Sequence, residues 1–182
     1  MALTCSVFIA TSLDGFIART NGDLDWLPGS DGEPGSDDYG FGDFFASVDT
    51  LVMGRNTYEF ALTFKEWPYR GKRVVVLSSR FPQTPTSLAD GVEGLSLSPQ
   101  DLISRLASDG SRHVYVDGGK TIQSFLRANI IRELTITRIP VLIGEGIPLF
   151  GPLGQDVHLQ HVWTKTFESG LVQSHYTVTT AV

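Results

Sequence analysis

The 182-residue chain is short of cysteine and of cationic residues, and both shortages exclude classes of protein. Its single cysteine, Cys5, cannot form an internal disulfide, and within an apolar run we expect it to be an inert core residue. Fourteen Lys and Arg residues against twenty Asp and Glu residues give a net charge of −6. This charge argues against general nucleic-acid binding, which needs a basic surface, but it is compatible with a small basic pocket.

Long apolar runs are also missing. No stretch approaches the roughly 20 apolar residues of a membrane-spanning helix, and no charged-then-apolar signal sequence opens the chain. With 41% hydrophobic and 19% charged residues, the composition is typical of a soluble globular protein. We therefore predict a cytoplasmic protein that binds neither membrane nor nucleic acid and folds as one domain over residues 1–182.

Nearly continuous apolar runs predict the buried strands of a mainly parallel sheet. Such runs are Leu3–Ala10 and Leu51–Met53, and further strands are predicted at Arg73–Arg80, His113–Val116 and Arg132–Ile139. The tail differs, because His158–Phe167 and Leu171–Thr179 alternate in polarity around a Glu-Ser-Gly turn, which predicts an antiparallel hairpin. His158 and His161 fall on opposite faces of a strand, so no metal site is predicted there.

Helical spacing and capping signals predict helices between these strands. Ser98 and Asp101 form a capping-box pattern at the start of one helix, which is expected to end near Asp109. The other helices are predicted at 38–48, at 58–63 and up to Ala128. The predicted fold class is therefore α/β, with a mainly parallel central sheet flanked by helices and a C-terminal antiparallel hairpin. A connection as long as 11–42 favours a binding loop.

Two strand–glycine–helix junctions carry the strongest functional signal. The first is LVMGRNTYE (51–59) and the second is HVYVDGGKTIQSFL (113–126). In each, an apolar strand ends at glycine and a cation follows, Arg55 in the first and Lys120 in the second. A glycine turn at a helix N-terminus lets backbone N–H groups approach an anion, and a guanidinium can hold a phosphate bidentately. Two such junctions predict a ligand with several phosphates.

These motifs, together with VVVLSSR and RELTITRIPVLIGEGIPLF, resemble the dihydrofolate reductase-like family. The resemblance is greatest to the reductase domain of the bifunctional riboflavin-biosynthesis deaminase–reductase and to its small stand-alone relatives. It implies an NADPH-dependent reductase that passes hydride to a small heterocycle, either pterin or dihydrofolate-like or 5-amino-6-ribosylamino-pyrimidine-like, and it allows a homodimer. The zinc-binding deaminase pattern, His-x-Glu with Pro-Cys-x-x-Cys, is absent from this sequence.

The resemblance also implies which residues hold NADPH. Ala10 and Ile17 would meet the nicotinamide. The pyrophosphate and the 2′-phosphate would be held by three groups: Gly54, Arg55, Asn56 and Thr57; Leu77, Ser78, Ser79 and Arg80; and Gly118, Gly119, Lys120 and Thr121. Independently of the family, two helix N-termini can serve two phosphates, and Ser-Ser-Arg supplies donors for a third.

The acid and the substrate contacts are predicted less directly. Asp38 falls where the dihydrofolate reductases have the acid that holds the pterin, so it would be the catalytic residue; the other interpretation is a helix N-cap. Trp26, Phe41 and Thr137 would contact substrate, with core packing the alternative for Thr137. The rival hypothesis is a non-catalytic module that binds or senses NADPH.

Overall fold

The computed structural model describes residues 3–28, 38–80, 85, 88 and 91–179. Its helices and strands are, in chain order, β1 (Thr4–Ser12), β2 (Phe16–Ala18), α1 (Phe41–Ser47), β3 (Thr50–Gly54), α2 (Arg55–Ala61), β4 (Arg73–Leu77), β5 (Val92–Leu95), α3 (Pro99–Ser108), β6 (His113–Asp117), α4 (Gly119–Arg127), β7 (Glu133–Ile139), β8 (Ile147–Pro148), β9 (His158–Thr166) and β10 (Val172–Thr179).

The predicted fold class is confirmed. The described strands form an eight-stranded sheet in the order β5-β4-β3-β6-β1-β7-β10-β9, in which the first six strands run parallel. The last two strands form the antiparallel hairpin, and β10 joins the edge of the parallel part through β7. The carboxyl ends of all the parallel strands therefore lie along one edge, where open α/β sheets bind their ligands.

Alternate residues of each buried strand pack on opposite faces of the sheet. On the face we call the α3/α4 face, strand residues such as Cys5 and Val114 pack against Leu102 and Phe125. On the other, the α1/α2 face, Leu51, Met53, Val74, Val76 and Tyr115 pack with Tyr58 and with the half-buried Phe8, Phe44 and Phe45. Burial on both sides explains why these strands are nearly continuous apolar runs.

Several boundaries differ from the sequence predictions. Helix α1 begins at Phe41 rather than at Asp38, because Gly40 at φ 83° lies in the left-handed region and cannot extend the helix. Helix α2 begins at Arg55, directly after the glycine, rather than at Tyr58. Strands β2 and β8, which pair with each other outside the main sheet, were not predicted, since runs of three and two residues carry no readable periodicity.

Two local predictions are confirmed. The Ser98 hydroxyl accepts the Asp101 N–H at 3.2 Å and donates to the Asp101 carboxylate at 2.7 Å, which caps α3. Cys5 is 1% exposed, and its burial raises the pKa of its thiol to about 12. Among the described residues, no helix combines the length and the apolar character needed to cross a membrane.

Candidate functional site

A cavity of about 1610 Å³ lies at the carboxyl ends of the parallel strands. Its walls come from the ends of β1, β3, β4, β5 and β6 and from the turns that follow them. Pockets for single drug-sized ligands measure roughly 300–1,000 Å³, so this cavity has room for a dinucleotide and a second, smaller molecule.

The two glycine junctions lie side by side in this cavity, because β3 and β6 pair with Met53 opposite Asp117. A Cβ built on Gly54 would lie 3.2 Å from Thr121 Oγ1, and a Cβ on Gly118 would clash with Thr57 Oγ1. Each glycine therefore faces the threonine of the other junction. We call this arrangement the reciprocal turns, Gly54–Thr57 and Gly118–Thr121.

Glycine is required in the reciprocal turns for two physical reasons. Gly118 has φ 88° and ψ 135°, a conformation that side chains rarely tolerate. At Gly119, a Cβ would lie 3.0 Å from the Pro148 carbonyl oxygen and 3.1 Å from Ile17 Cδ1. The tight approach of these backbones leaves helix N-terminal N–H groups facing the cavity, which suits a phosphate-bearing ligand.

Most of the predicted cofactor residues are brought together. Those that line the cavity are Ala10, Ile17, Gly54, Arg55, Asn56, Thr57, Leu77, Ser78, Ser79, Gly118, Gly119, Lys120 and Thr121. Arg55 is exposed and lies 3.7 Å from Glu59, one turn along α2. An exposed pair at this distance contributes little, so the guanidinium is available to a ligand. The role of each of these residues stays a prediction.

Arg80 and Trp26 are not among the residues that line the cavity, and their predicted contacts with cofactor and substrate stay predictions. After β4 ends, the Arg80 N–H donates to Ser78 Oγ at 3.1 Å, and this turn leaves Arg80 exposed outside the cavity wall. The Trp26 indole N–H is buried with no hydrogen-bond partner among the described residues, and its neighbours Leu24 and Leu27 face the cavity instead.

The α1/α2 face of the sheet forms an aromatic compartment at one end of the cavity, lined by Phe8, Phe41, Tyr69 and Tyr115. The Phe8 ring lies 5.6 Å from the ring of Phe41, in an edge-to-face arrangement. The Tyr115 hydroxyl donates to the Phe8 carbonyl at 3.0 Å, which ties β6 to β1 and fixes that wall. Phe41 lines this compartment and is 37% exposed, and its contact with substrate stays a prediction.

Thr137 borders the same compartment from β7, opposite Ala10 of β1. It is 4% exposed, and its hydroxyl accepts a hydrogen bond from the buried Gln173 amide at 2.9 Å. The same amide group also donates to the Tyr39 carbonyl at 3.0 Å, which links the hairpin to the residues just before α1. Thr137 is therefore both a packed residue and a wall of the cavity.

Asp117 is the functional candidate that the sequence analysis missed. It ends β6 directly before Gly118 and lines the cavity between the reciprocal turns and the aromatic compartment. Its Oδ1 accepts the Gly118 N–H at 2.8 Å. Burial raises the pKa of this carboxyl from 3.8 to about 6, although the hydrogen bond from the Gly118 N–H acts in the opposite direction. An acid that is partly protonated near neutral pH fits proton transfer.

Asp38 has a different environment. Its two carboxylate oxygens accept the N–H groups of Gly40 at 2.8 Å and of Gly42 at 2.9 Å, at the start of α1, whose N-cap residue is Gly40. These hydrogen bonds lower the pKa of the exposed Asp38 carboxyl. Asp38 does line the cavity, but a carboxylate held in its charged form is poorly suited to donating a proton.

We expect Gly118→Ala to destabilise the protein more than Gly110→Ala does. Both glycines have φ near +90°, but no atom lies within 4 Å of a Cβ at Gly110. The Gly110→Ala variant should therefore lose only the backbone strain energy of about 1–3 kcal/mol, without a steric clash. Urea unfolding of both variants measures the difference. Adding Thr57→Ala should recover part of the Gly118→Ala loss; equal losses at the two glycines would show that the reciprocal turns impose no constraint.

Comparison with known proteins identifies relatives over almost the whole chain. The model of the RibD C-terminal domain matches residues 4–173. The uncharacterized protein YwjB of Bacillus subtilis (strain 168) is 36% identical over 173 residues, which cover 93% of this chain and 95% of that protein.

Solved structures agree with this match. A Shewanella sp. PV-4 protein, provisionally named as a riboflavin biosynthesis protein, is 40% identical with a TM-score of 0.89, covering 98% of this chain and all of that one. The diaminohydroxyphosphoribosylaminopyrimidine deaminase/5-amino-6-(5-phosphoribosylamino)uracil reductase of Thermotoga maritima is 15% identical with a TM-score of 0.72, and this chain covers 57% of it. At that identity the second likeness shows the fold alone.

Proposed function

Because the chain belongs to the RibD C-terminal domain family, as the sequence resemblance indicated, we propose that it is an NADPH-dependent reductase acting on a small heterocycle. The observation that carries the proposal is the position of Asp117, between two phosphate-compatible turns and an aromatic compartment. A dinucleotide site and a substrate site thus meet at a group able to hold a proton.

In this proposal the reciprocal turns hold the pyrophosphate of NADPH with their backbone N–H groups. Arg55 faces the 2′-phosphate, and Ser78 and Ser79 add hydroxyl donors at the end of β4. Ala10 and Ile17 lie at the nicotinamide end, where Ile17 packs against Gly119. NADPH, when bound, supplies the hydride, and the protein orients the two molecules and excludes water.

Asp117 takes the proton-donating role that the sequence analysis gave to Asp38. Reduction of a C=N or carbonyl group needs a proton as well as a hydride, and a carboxyl with a pKa of about 6 is partly protonated near neutral pH. Tyr69 and Tyr115 face the same space, and burial raises the pKa of both hydroxyls, so both stay uncharged.

Calorimetric titration of the purified protein with NADPH, and separately with NADH, tests the proposal. We expect saturable binding of NADPH and a clear preference over NADH, because only NADPH carries the 2′-phosphate. Failure of both to bind would reject the reductase. Binding of NADPH without oxidation in the presence of any pterin or pyrimidine would instead favour the non-catalytic binding module. The cytoplasmic location and the homodimer stay predictions.

A further inference from the structure

Positive charge is confined to one end of the cavity. All fourteen Lys and Arg residues of the chain lie among the described residues, and of these only Arg55 and Lys120 line the cavity. Both stand in the first turn of a helix at the reciprocal turns, where the cofactor phosphates are proposed to bind. The two cations of the cavity are therefore proposed to bind the cofactor, which leaves none for a phosphate on the substrate.

The aromatic compartment offers a phosphate no cationic partner among the residues that the structure describes there. Its walls are the aromatic rings and Thr137, and its charged groups, Asp117 and Asp38, are acids. A phosphate carries about −1.5 to −2 charges near neutral pH and is usually held by Arg, Lys or a free helix N-terminus. An acidic, uncompensated compartment repels such a group.

The N-terminus of α1, beside this compartment, is already occupied. The Asp38 carboxylate accepts the Gly40 and Gly42 N–H groups at the start of α1, which are the donors that a substrate phosphate would need. A second anion placed there would meet the carboxylate instead of the N–H groups. The acid at the start of α1 thus also closes its N-terminus to phosphate.

What the compartment does offer suits an uncharged, planar ring. Phe8 and Phe41 provide ring faces and edges, and Asp117 provides a carboxyl with one oxygen engaged by Gly118. Such a carboxyl can accept from, or donate to, the ring nitrogen and amino groups of a heterocycle. We propose that the substrate is a planar amino-heterocycle that carries no phosphate, unlike the phosphoribosyl compound in the name of the Thermotoga maritima relative. This inference rests on the proposed reductase function.

The test compares ligand pairs that differ only in phosphate. Protein saturated with NADP⁺ is titrated by calorimetry at neutral pH with hydroxymethyl-dihydropterin and its diphosphate ester, and with ribosylamino-pyrimidinedione and its 5′-phosphate. We expect the phosphate-free member of at least one pair to bind about tenfold or more tightly than its partner, because the phosphate meets no cation. Equal or tighter binding of the phosphorylated members would overturn the inference.

An added cation provides the matched control. Phe41→Lys places an ammonium at the exposed edge of the compartment, so we expect it to reduce the discrimination against phosphate. Val162→Lys adds the same charge on the exposed edge strand β9, outside the cavity, and should leave the discrimination unchanged. Weaker binding of a phosphorylated probe in Lys120→Ala would show that Lys120 reaches the substrate, which also contradicts the inference.

Titration with NADPH alone distinguishes failure of the substrate inference from failure of the reductase proposal. If NADPH binds and the phosphorylated probes bind better, the substrate inference fails while the reductase proposal stands. If NADPH does not bind, the reductase proposal fails and the inference falls with it.

Discussion

Asp117→Asn is expected to lower turnover by about 100-fold or more, the scale at which general acids contribute to catalysis. The asparagine amide keeps the size of the side chain and can still accept the Gly118 N–H, but it cannot supply a proton. The readout is NADPH oxidation with the best heterocycle of the substrate screen. NADPH affinity should change little, since Asp117 lies between the cofactor turns and the aromatic compartment.

The pH dependence gives a second readout of the same group. A donor with a pKa of about 6 is protonated below that value, so wild-type turnover should fall as the pH rises through about 6. The Asp117→Asn variant should show residual turnover without this titration. A wild-type profile that is flat between pH 5 and about 8 would contradict the assignment of Asp117 as the acid.

The Asp117→Asn substitution should change stability in the opposite direction from activity. The folded-state pKa of Asp117 is raised from 3.8 to about 6, so the folded protein binds the proton more tightly and loses stability as pH rises through that window. Above about pH 6 the folded wild type contains a buried, ionised carboxylate, which lowers its stability by on the order of 1–3 kcal/mol. Asparagine, which is uncharged, removes this loss. A more stable and nearly inactive variant at neutral pH would exclude misfolding as the cause of the lost turnover.

Asp38→Asn is the comparison that separates the two acids. Because both Asp38 oxygens accept backbone N–H groups, replacing one oxygen by an NH₂ group should slightly weaken the start of α1. We expect turnover to fall much less than in Asp117→Asn. A larger loss of turnover from Asp38→Asn would restore the role that the sequence analysis gave to Asp38.

Arg55→Ala is expected to weaken NADPH binding by about 10- to 100-fold and NADH binding by much less. The fold-change corresponds to the loss of charge-assisted hydrogen bonds to the 2′-phosphate, which contribute roughly 1.5–3 kcal/mol. Calorimetric titration of each cofactor measures both values. Equal losses for NADPH and NADH would show that Arg55 contacts a part of the cofactor that both share.

The chain offers a matched control for Arg55. Arg70 is also an exposed arginine in an i,i+4 pair, 3.8 Å from Glu66, but it does not line the cavity. Arg70→Ala removes the same charge and the same kind of ion pair, so it should leave both affinities near the wild-type values. A similar loss in the two variants would point to the overall charge of the protein rather than to a specific contact.

The sheet was predictable because its strands are buried on both faces. Runs such as Leu51–Met53 must be apolar on every residue when helices cover both sides, and this pattern is readable without the structure. The small strands β2 and β8 were not predictable, since their pairing depends on contacts between distant parts of the chain. Helix α1 was displaced because its aromatic residues recur at helical spacing while Gly40 sets the actual start.

The parts of the site that depend on a backbone turn were predictable from residue type. The parts that depend on burial by the surrounding fold were not. Glycine followed by Arg55 or Lys120 marks the turns in the sequence itself. Asp117 was visible as an acid at the end of an apolar strand, but its raised pKa comes from burial that only the fold creates. Arg80 was assigned through the family resemblance, and the turn in which its N–H donates to Ser78 Oγ leaves it exposed and outside the cavity lining.

Labelling of the Cys5 thiol can report unfolding of the protein. It is the single thiol of the chain, it lies on β1 in the middle of the sheet between β6 and β7, and its thiolate is strongly disfavoured while the fold is intact. A thiol reagent therefore reaches it only when the central strand separates from its neighbours. The rate of labelling measures that opening directly, and it offers a way to rank ligands by how well they hold the sheet closed, without any assay of chemistry.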